Sequence, residues 1–254
     1  MREKEVVKQK FAKNKAAYVT STTHAKGADL PLLTQWLNPQ QDMKILDIAT
    51  GGGHVAKQLA PFVKQVIASD LTKEMLAHTS QHLLAYSNIE YVLGDAEDLP
   101  FLDETFDVVT CRIAAHHFPN PSLFLQEANR VLKAGGSFLL IDNVAAENTE
   151  LNYFINTLEE KRDSSHVCSL TIRKWRELLQ ESNFTIAKSE ERKKRLPYEE
   201  WLNRTVDTEE EKQEITAFIT NADQHIRDYF QIEMTDGSIA GFTIDEWMVL
   251  CKKE

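Results

Sequence analysis

The stretch Lys44-Ile45-Leu46-Asp47-Ile48-Ala49-Thr50-Gly51-Gly52-Gly53-His54-Val55-Ala56 decides how this chain folds. Its apolar opening has the length of a buried strand, its glycines make a turn, and a helical pattern resumes at His54. Glycine accepts positive φ at little steric cost and lets a backbone come close to a ligand. A strand, a glycine-dense turn and a helix start in one run therefore put a binding position at the carboxyl edge of a parallel strand.

Outward from this stretch, short apolar runs bounded by turn residues alternate with amphipathic stretches, which is the pattern of βα units. The runs predict strands at Lys44–Ala49, Gln65–Ser69, Ile89–Leu93, Phe106–Cys111 and Ser137–Asn143. Helices are expected between them at about His54–Ala60, Lys73–Tyr86 and Pro121–Leu132, the last closing at Ala134-Gly135-Gly136. Helical crossovers on both faces make such a sheet buried and parallel. Further on, helices are expected near Glu147–Arg162 and at Thr171–Glu181, the latter capped by Thr171. Strands at Phe184–Lys194 and Phe242–Lys252 bring the count to seven, with a mostly helical insertion at Tyr198–Tyr229 between these two. In that insertion Thr208-Glu209-Glu210-Glu211 reads as a capping box, and the preceding basic run Arg192-Lys193-Lys194-Arg195 as a charged strand end. Residues 1–37 read as helical with an interruption from Tyr18 to Gly27.

Asp70 ends the second predicted strand, where a carboxylate can accept both hydrogen bonds of a ribose diol. Nicotinamide dinucleotides and S-adenosylmethionine both carry such a ribose, and the glycine loop discriminates between them. A dinucleotide fingerprint, G-x-G-x-x-G, aims a helix dipole at a pyrophosphate. Here the spacing is D-x-A-x-G-x-G from Asp47, and an acid just ahead of the turn is unfavourable beside a pyrophosphate but favourable beside an ammonium group.

At this point the chain resembles the class I S-adenosylmethionine-dependent methyltransferases, in the small-molecule branch related to the quinone-biosynthesis C-methyltransferases. The likeness covers about residues 40–145. The acid-plus-glycine loop matches Asp47, Ala49, Gly51 and Gly53, and the ribose acid matches Asp70, followed by Leu71. The third-strand motif matches Gly94-Asp95-Ala96-Glu97-Asp98-Leu99-Pro100-Phe101, the fourth strand matches Phe106 to Arg112 followed by Ala114-Ala115-His116-His117-Phe118, and the fifth-strand approach matches Glu127 to Gly136. The resemblance implies S-adenosylmethionine as cofactor, with Asp95 on the adenine amino group and the Ala96 N–H on a ring nitrogen. It also implies an α/β Rossmann-like seven-stranded sheet of order 3-2-1-4-5-7-6, the last strand antiparallel, with helices on both faces. In those terms residues 1–40 form a helical lid, 41–145 the cofactor-binding core, and 146–254 a substrate-side half with a helical cap about 197–230. One position departs from the family: its first loop glycine is Ala49, which implies a slightly altered turn.

Methyl transfer is an in-line displacement that needs positioning, and a base only where the nucleophile carries a proton. His116 and His117 follow the fourth strand at the carboxyl edge and are the candidate catalytic pair, with packing or capping of the loop as their alternative role. Arg112 has the fork for a carboxylate, either the methionine tail or an acidic substrate, and otherwise a surface role. Tyr18 and His24 lie in the interrupted N-terminal segment, which in this family often closes over the methionine end. Cys111 reads as an inert core thiol, and His78 and His82 as helix-surface residues with no third metal ligand in view. The aromatics Trp201, Phe218, Tyr229 and Phe230 of the insertion either roof the acceptor site or form a small core of their own.

Composition sets the remaining bounds. Among 254 residues, 42% are hydrophobic and 27% charged, which excludes a disordered tail or a fibrous repeat. Lysine and arginine total 29 against 39 acids, a net charge of −10, which disfavours a nucleic acid partner. Cys111, Cys168 and Cys251 have neither metal-ligand nor disulfide-framework spacing, and no stretch has the apolar length of a membrane span. The expectation is a cytoplasmic enzyme without a metal, acting on a small-molecule acceptor, with no nucleic acid partner and no stable membrane insertion. Two other classes share the glycine loop: a non-catalytic S-adenosylmethionine-binding protein and a nicotinamide-dependent oxidoreductase.

Overall fold

The computed structural model describes residues 4–12 and 27–254. Among them, helices α1 (residues 4–12) and α2 (Asp29–Leu37) precede β1 (Lys44–Ile48), α3 (His54–Leu59), β2 (Gln65–Asp70), α4 (Lys73–His82) and β3 (Ile89–Leu93). Then come β4 (Phe106–Arg112), a 3-10 turn at Ala115–His117, α5 (Pro121–Val131), β5 (Leu132–Val144), α6 (Thr149–Arg162) and α7 (Ile172–Glu181). The chain closes with β6 (Phe184–Pro197), α8 (Tyr198–Leu202), α9 (Glu209–Thr220), α10 (Gln224–Tyr229), β7 (Glu233–Thr235) and β8 (Ser238–Lys253). None of the described helices is long and apolar enough to cross a membrane.

The strands form one sheet in the order β3-β2-β1-β4-β5-β8-β6, with β7 paired to β8 alone. β1 to β5 run parallel, and β8 is antiparallel to both β5 and β6. Apart from β7 this is the expected order. Strand alternation divides the apolar residues between the two faces. Phe138 and Leu140 of β5 join Trp247 and Val249 of β8 under α5 and α7. Leu139, Ile141 and Met248 join Leu33 and Trp36 of α2 and Leu59 of α3 on the other face. The order reverses between β1 and β4, which opens a crevice at the carboxyl ends of these two strands.

Several boundaries differ from the expected ones. An eighth strand, β7, is added by a hairpin at Asp236-Gly237, where both residues take positive φ. α5 stops at Val131 because Leu132 is already extended and pairs with Phe106. β6 continues past Lys194 because its basic run is matched across the strands: Arg192 with Glu246, and Lys193 with Asp245. The Thr171 side chain accepts the Lys174 N–H as a cap, and Thr208 accepts the N–H of Glu211.

The insertion builds a core rather than a roof. Trp201, Ile215 and Phe230 pack with Phe154 and Leu158 of α6 and Phe242 of β8, and Phe154 stacks on Phe218. No residue of α8, α9 or α10 lines the crevice; among the described residues its cover includes α1, which contributes Lys4, Val7 and Phe11.

Candidate functional site

The crevice at the β1–β4 reversal encloses about 990 Å³ of non-atom space, its open mouth included. Asp47, at the end of β1, is buried. Its carboxylate accepts from the Thr50 hydroxyl at 2.6 Å and from the Thr110 hydroxyl of β4 at 2.9 Å. Burial pushes its pKa up to about 6, with the charge of Asp70 adding to the effect and the two hydroxyls and Arg112 opposing it.

The turn after β1 needs three left-handed residues: Ala49 (φ 51°), Gly51 (φ 51°) and Gly53 (φ 75°). Ala49 thus adopts the backbone a glycine would take with less strain. Gly51 and Gly52 line the crevice, whereas Gly53 lies behind it. A Cβ on Gly53 would sit 2.6 Å from both Thr79 and Leu83, so this glycine lets the turn pack on α4 and its neighbouring loop.

Asp70, at the tip of β2, is fixed by the N–H groups of Gly51 (3.0 Å to Oδ2) and Thr72 (2.9 Å to Oδ1). Burial raises its pKa above the ordinary carboxylate value. Leu71, Asp95 and Ala96 also face the crevice. Asp95 Oδ1 accepts the Glu97 N–H, and its Oδ2 lies 2.6 Å from Lys4 Nζ.

Arg112 lies at the crevice wall, but its fork is engaged within the chain. Nε and Nη2 both bond the Asp29 carboxylate of α2, in a pair almost closed to solvent. Burial opposes ionisation of Asp29, yet Arg112 outweighs it and holds that carboxyl below its usual range. The sequence offered this guanidinium to a ligand carboxylate or to the surface; the structure gives it an internal partner 83 residues away in the chain. The next residue, Ile113, takes φ 53°, which is strained for a β-branched side chain, and it lines the crevice.

The two histidines separate in role. His117 lines the crevice and His116 does not. His116 Nδ1–H donates to Asp142 Oδ1 at 2.6 Å, and its backbone N–H donates to Asp142 Oδ2 at 3.0 Å. Burial disfavours charge on His116, but Asp142 more than offsets it and raises the pKa. His117 Nδ1–H donates to the Ser165 carbonyl at 2.8 Å, which leaves Nε2 as the unprotonated ring nitrogen. Burial first, and the neighbouring His116 charge second, push the His117 pKa down. Ser165 is itself held by Asp163, which accepts its N–H and its hydroxyl. His166 completes the cluster, with Nε2–H donating to Asn156 and a pKa lowered to about 4 chiefly by burial.

Tyr18 and His24 lie outside the described residues. His78 and His82 meet each other on α4 at 3.2 Å, away from the crevice. The sequence reading missed Lys4, Val7 and Phe11, although their i, i+3, i+7 spacing is visible in it. It also missed Asp142, an acid near the end of an apolar strand in the same way as Asp47 and Asp70.

Comparison with known proteins follows the same lines. A methyltransferase domain family matches residues 46–140. A Bacillus subtilis (strain 168) protein named as the uncharacterized methyltransferase YcgJ is 33% identical over 226 residues, 88% of this chain and 89% of that protein. The crystal structure of a Bacillus halodurans C-125 protein, provisionally described as a methyltransferase, superposes with a TM-score of 0.86 at 41% identity, covering 89% of this chain and 99% of that one. The ubiquinone/menaquinone biosynthesis C-methyltransferase UbiE of Rickettsia typhi is 35% identical over 113 residues, 41% of this chain and 46% of that protein.

Proposed function

The chain belongs to the methyltransferase family and takes S-adenosylmethionine as its cofactor, and from that premise we propose that it methylates a small organic acceptor held against His117. The observation that carries this reading is the donor set of the crevice: two buried carboxylates, Asp47 and Asp70, at adjacent strand tips around a glycine turn. These groups fit the cofactor chemically. Asp70 is oriented by two backbone N–H groups and offers its remaining lone pairs to a ribose diol. Asp47 offers negative charge to an ammonium group, Asp95 an acceptor to the adenine amine, and Ala96 its N–H to a ring nitrogen. Leu71 supplies apolar contact, and Gly51 and Gly52 permit close backbone approach. When bound, the cofactor supplies an electrophilic methyl group on a sulfonium.

The chain's own residues account for the rest. His117 is neutral near pH 7 and keeps the Nε2 lone pair because Ser165 occupies its Nδ1–H, so it can accept a proton from a hydroxyl or an activated C–H. His116, held by Asp142, packs against the His117 ring and positions it. Around His117 the wall is apolar, formed by Phe11, Ile113, Ala114, Phe118 and Pro119, which suits an aromatic or hydroxylated carbon skeleton and excludes water. The partial likeness to UbiE supports a quinone-like acceptor in the same direction.

Calorimetric titration with S-adenosylmethionine, S-adenosylhomocysteine and NADH, repeated on Asp70→Asn, tests the cofactor half. Saturable binding of the two sulfur compounds alone, weakened by the substitution, is expected; tighter NADH binding would sink it. A screen of phenolic, enolic and amine acceptors with a labelled methyl group tests the other half. Turnover lost in His117→Ala and only reduced in His116→Gln is the expected pattern.

A further inference from the structure

Lys4, Val7 and Phe11 lie on one face of α1, and all three reach into the crevice. At one end of this face Lys4 Nζ lies 2.6 Å from Asp95 Oδ2 and 2.7 Å from Glu97 Oε2. Two turns away, about 10 Å along the helix by its rise per residue, the Phe11 ring meets His117 edge-on with centroids 5.1 Å apart. Lys10, between them, donates to the Thr205 carbonyl of the insertion at 2.9 Å. Glu97 is 8% exposed beneath Lys4, and its other oxygen accepts the Asn120 N–H at 2.6 Å. Burial disfavours the Lys4 ammonium, but the two carboxylates outweigh it and raise its pKa.

We propose that Lys4 is a positioning residue that latches α1 over the crevice through Asp95 and Glu97, and that breaking this latch governs exchange of the cofactor. The proposal rests on the cofactor reading of the crevice given above. Asp95 is both the anchor of α1 and the carboxylate assigned to the adenine amine, so the lid and the adenine end converge on one side chain. The same helix carries Phe11 against His117, so a made latch also keeps water from the ring that faces the acceptor. An ion pair this close to solvent is weakened by salt.

The test uses the full chain with Lys4→Met, which keeps the apolar stem, with Glu97→Gln, which keeps an acceptor for Asn120, and with both together. Release of S-adenosylhomocysteine is followed by stopped-flow displacement at low and high ionic strength, and amide exchange of residues 4–12 is followed in the ligand-free protein. Each single variant should release the ligand about threefold to fivefold faster. The double variant should be no faster than Lys4→Met alone, because Lys4 is the common partner of both carboxylates and Glu97→Gln removes only one of its two contacts. Salt should speed release from the wild type and leave Lys4→Met unchanged, and protection of residues 4–12 should fall while the melting temperature holds. Wild-type rates and salt dependence in Lys4→Met, additive effects in the double variant, or unchanged protection would overturn the latch. Failure of the wild type to bind S-adenosylhomocysteine at all would instead overturn the cofactor reading, and the latch with it.

Discussion

Asp47 carries its charge at a cost to stability, and the sign of that cost is testable. Its folded pKa of about 6 lies above its ordinary value of 3.8, so between these values the folded state holds a proton that the unfolded state has released. Stability therefore falls as pH rises from about 4 to about 6, and levels off above with an upper cost of about 3 kcal/mol. Asp47→Asn removes the charge and keeps polar partners for Thr50 and Thr110. Urea melts should find it more stable than the wild type at pH 7.5, with the difference gone near pH 4, while cofactor binding weakens. A pH-independent difference would contradict this account. Gly53 gives a second prediction: alanine there meets Thr79 and Leu83 at 2.6 Å with φ held at 75°. Strain and overpacking together should cost about 2–4 kcal/mol, read as a lower denaturation midpoint. Asp47 and Asp70 were legible because a strand-end acid beside a glycine turn is a local signal. The separate roles of His116 and His117 were not, because Asp142 and the Ser165 carbonyl arrive from 26 and 48 residues away. The pairing of Arg112 with Asp29 is hidden for the same reason, across 83 residues of chain.

Elements were legible where the apolar period was long and their ends where a cap was local. α7 shows both: Trp175, Leu178 and Leu179 face inward, and Thr171 caps the Lys174 N–H. Thr171→Ala should therefore cost about 1 kcal/mol, and Thr171→Ser close to nothing, in paired thermal melts. An equal loss in both would mean that the methyl group of Thr171, not its hydroxyl, holds the helix start. Ends that depend on a neighbouring strand were placed less well. Leu132 leaves α5 because Phe106 is there to pair with it, and no feature of Val131-Leu132-Lys133 announces that. β7 was missed although Asp236-Gly237 is a hairpin signal, because three residues are too few to show an alternation. For the insertion the sequence leaves roof and core both open, because aromatic residues look alike in sequence whether they cover a ligand or each other.

Among the described residues the apolar side chains form three clusters, two on the faces of the sheet and one between the insertion, α6 and the outer ends of β6 and β8. The third cluster is not detached, because Phe242 and Ile244 lie on the same strand as Trp247 and Met248 of the other two. A single cooperative transition is therefore expected on heating, and a ligand of the crevice should move all of it. S-adenosylhomocysteine at a hundred times its dissociation constant adds about 2.7 kcal/mol to the folded state. For a chain of 254 residues that corresponds to a rise of about 5–10 °C, with no rise from NADH and a smaller one in Asp70→Asn. Calorimetry should show one peak displaced as a unit, because the insertion's core shares β8 with the sheet that shapes the crevice. Two peaks of which only one moves with ligand would mean that the insertion unfolds by itself. In that case the Lys10–Thr205 contact would join α1 to a neighbour with its own stability, and a substitution in the insertion's core would alter the hold on α1 without altering the carboxylates beneath it.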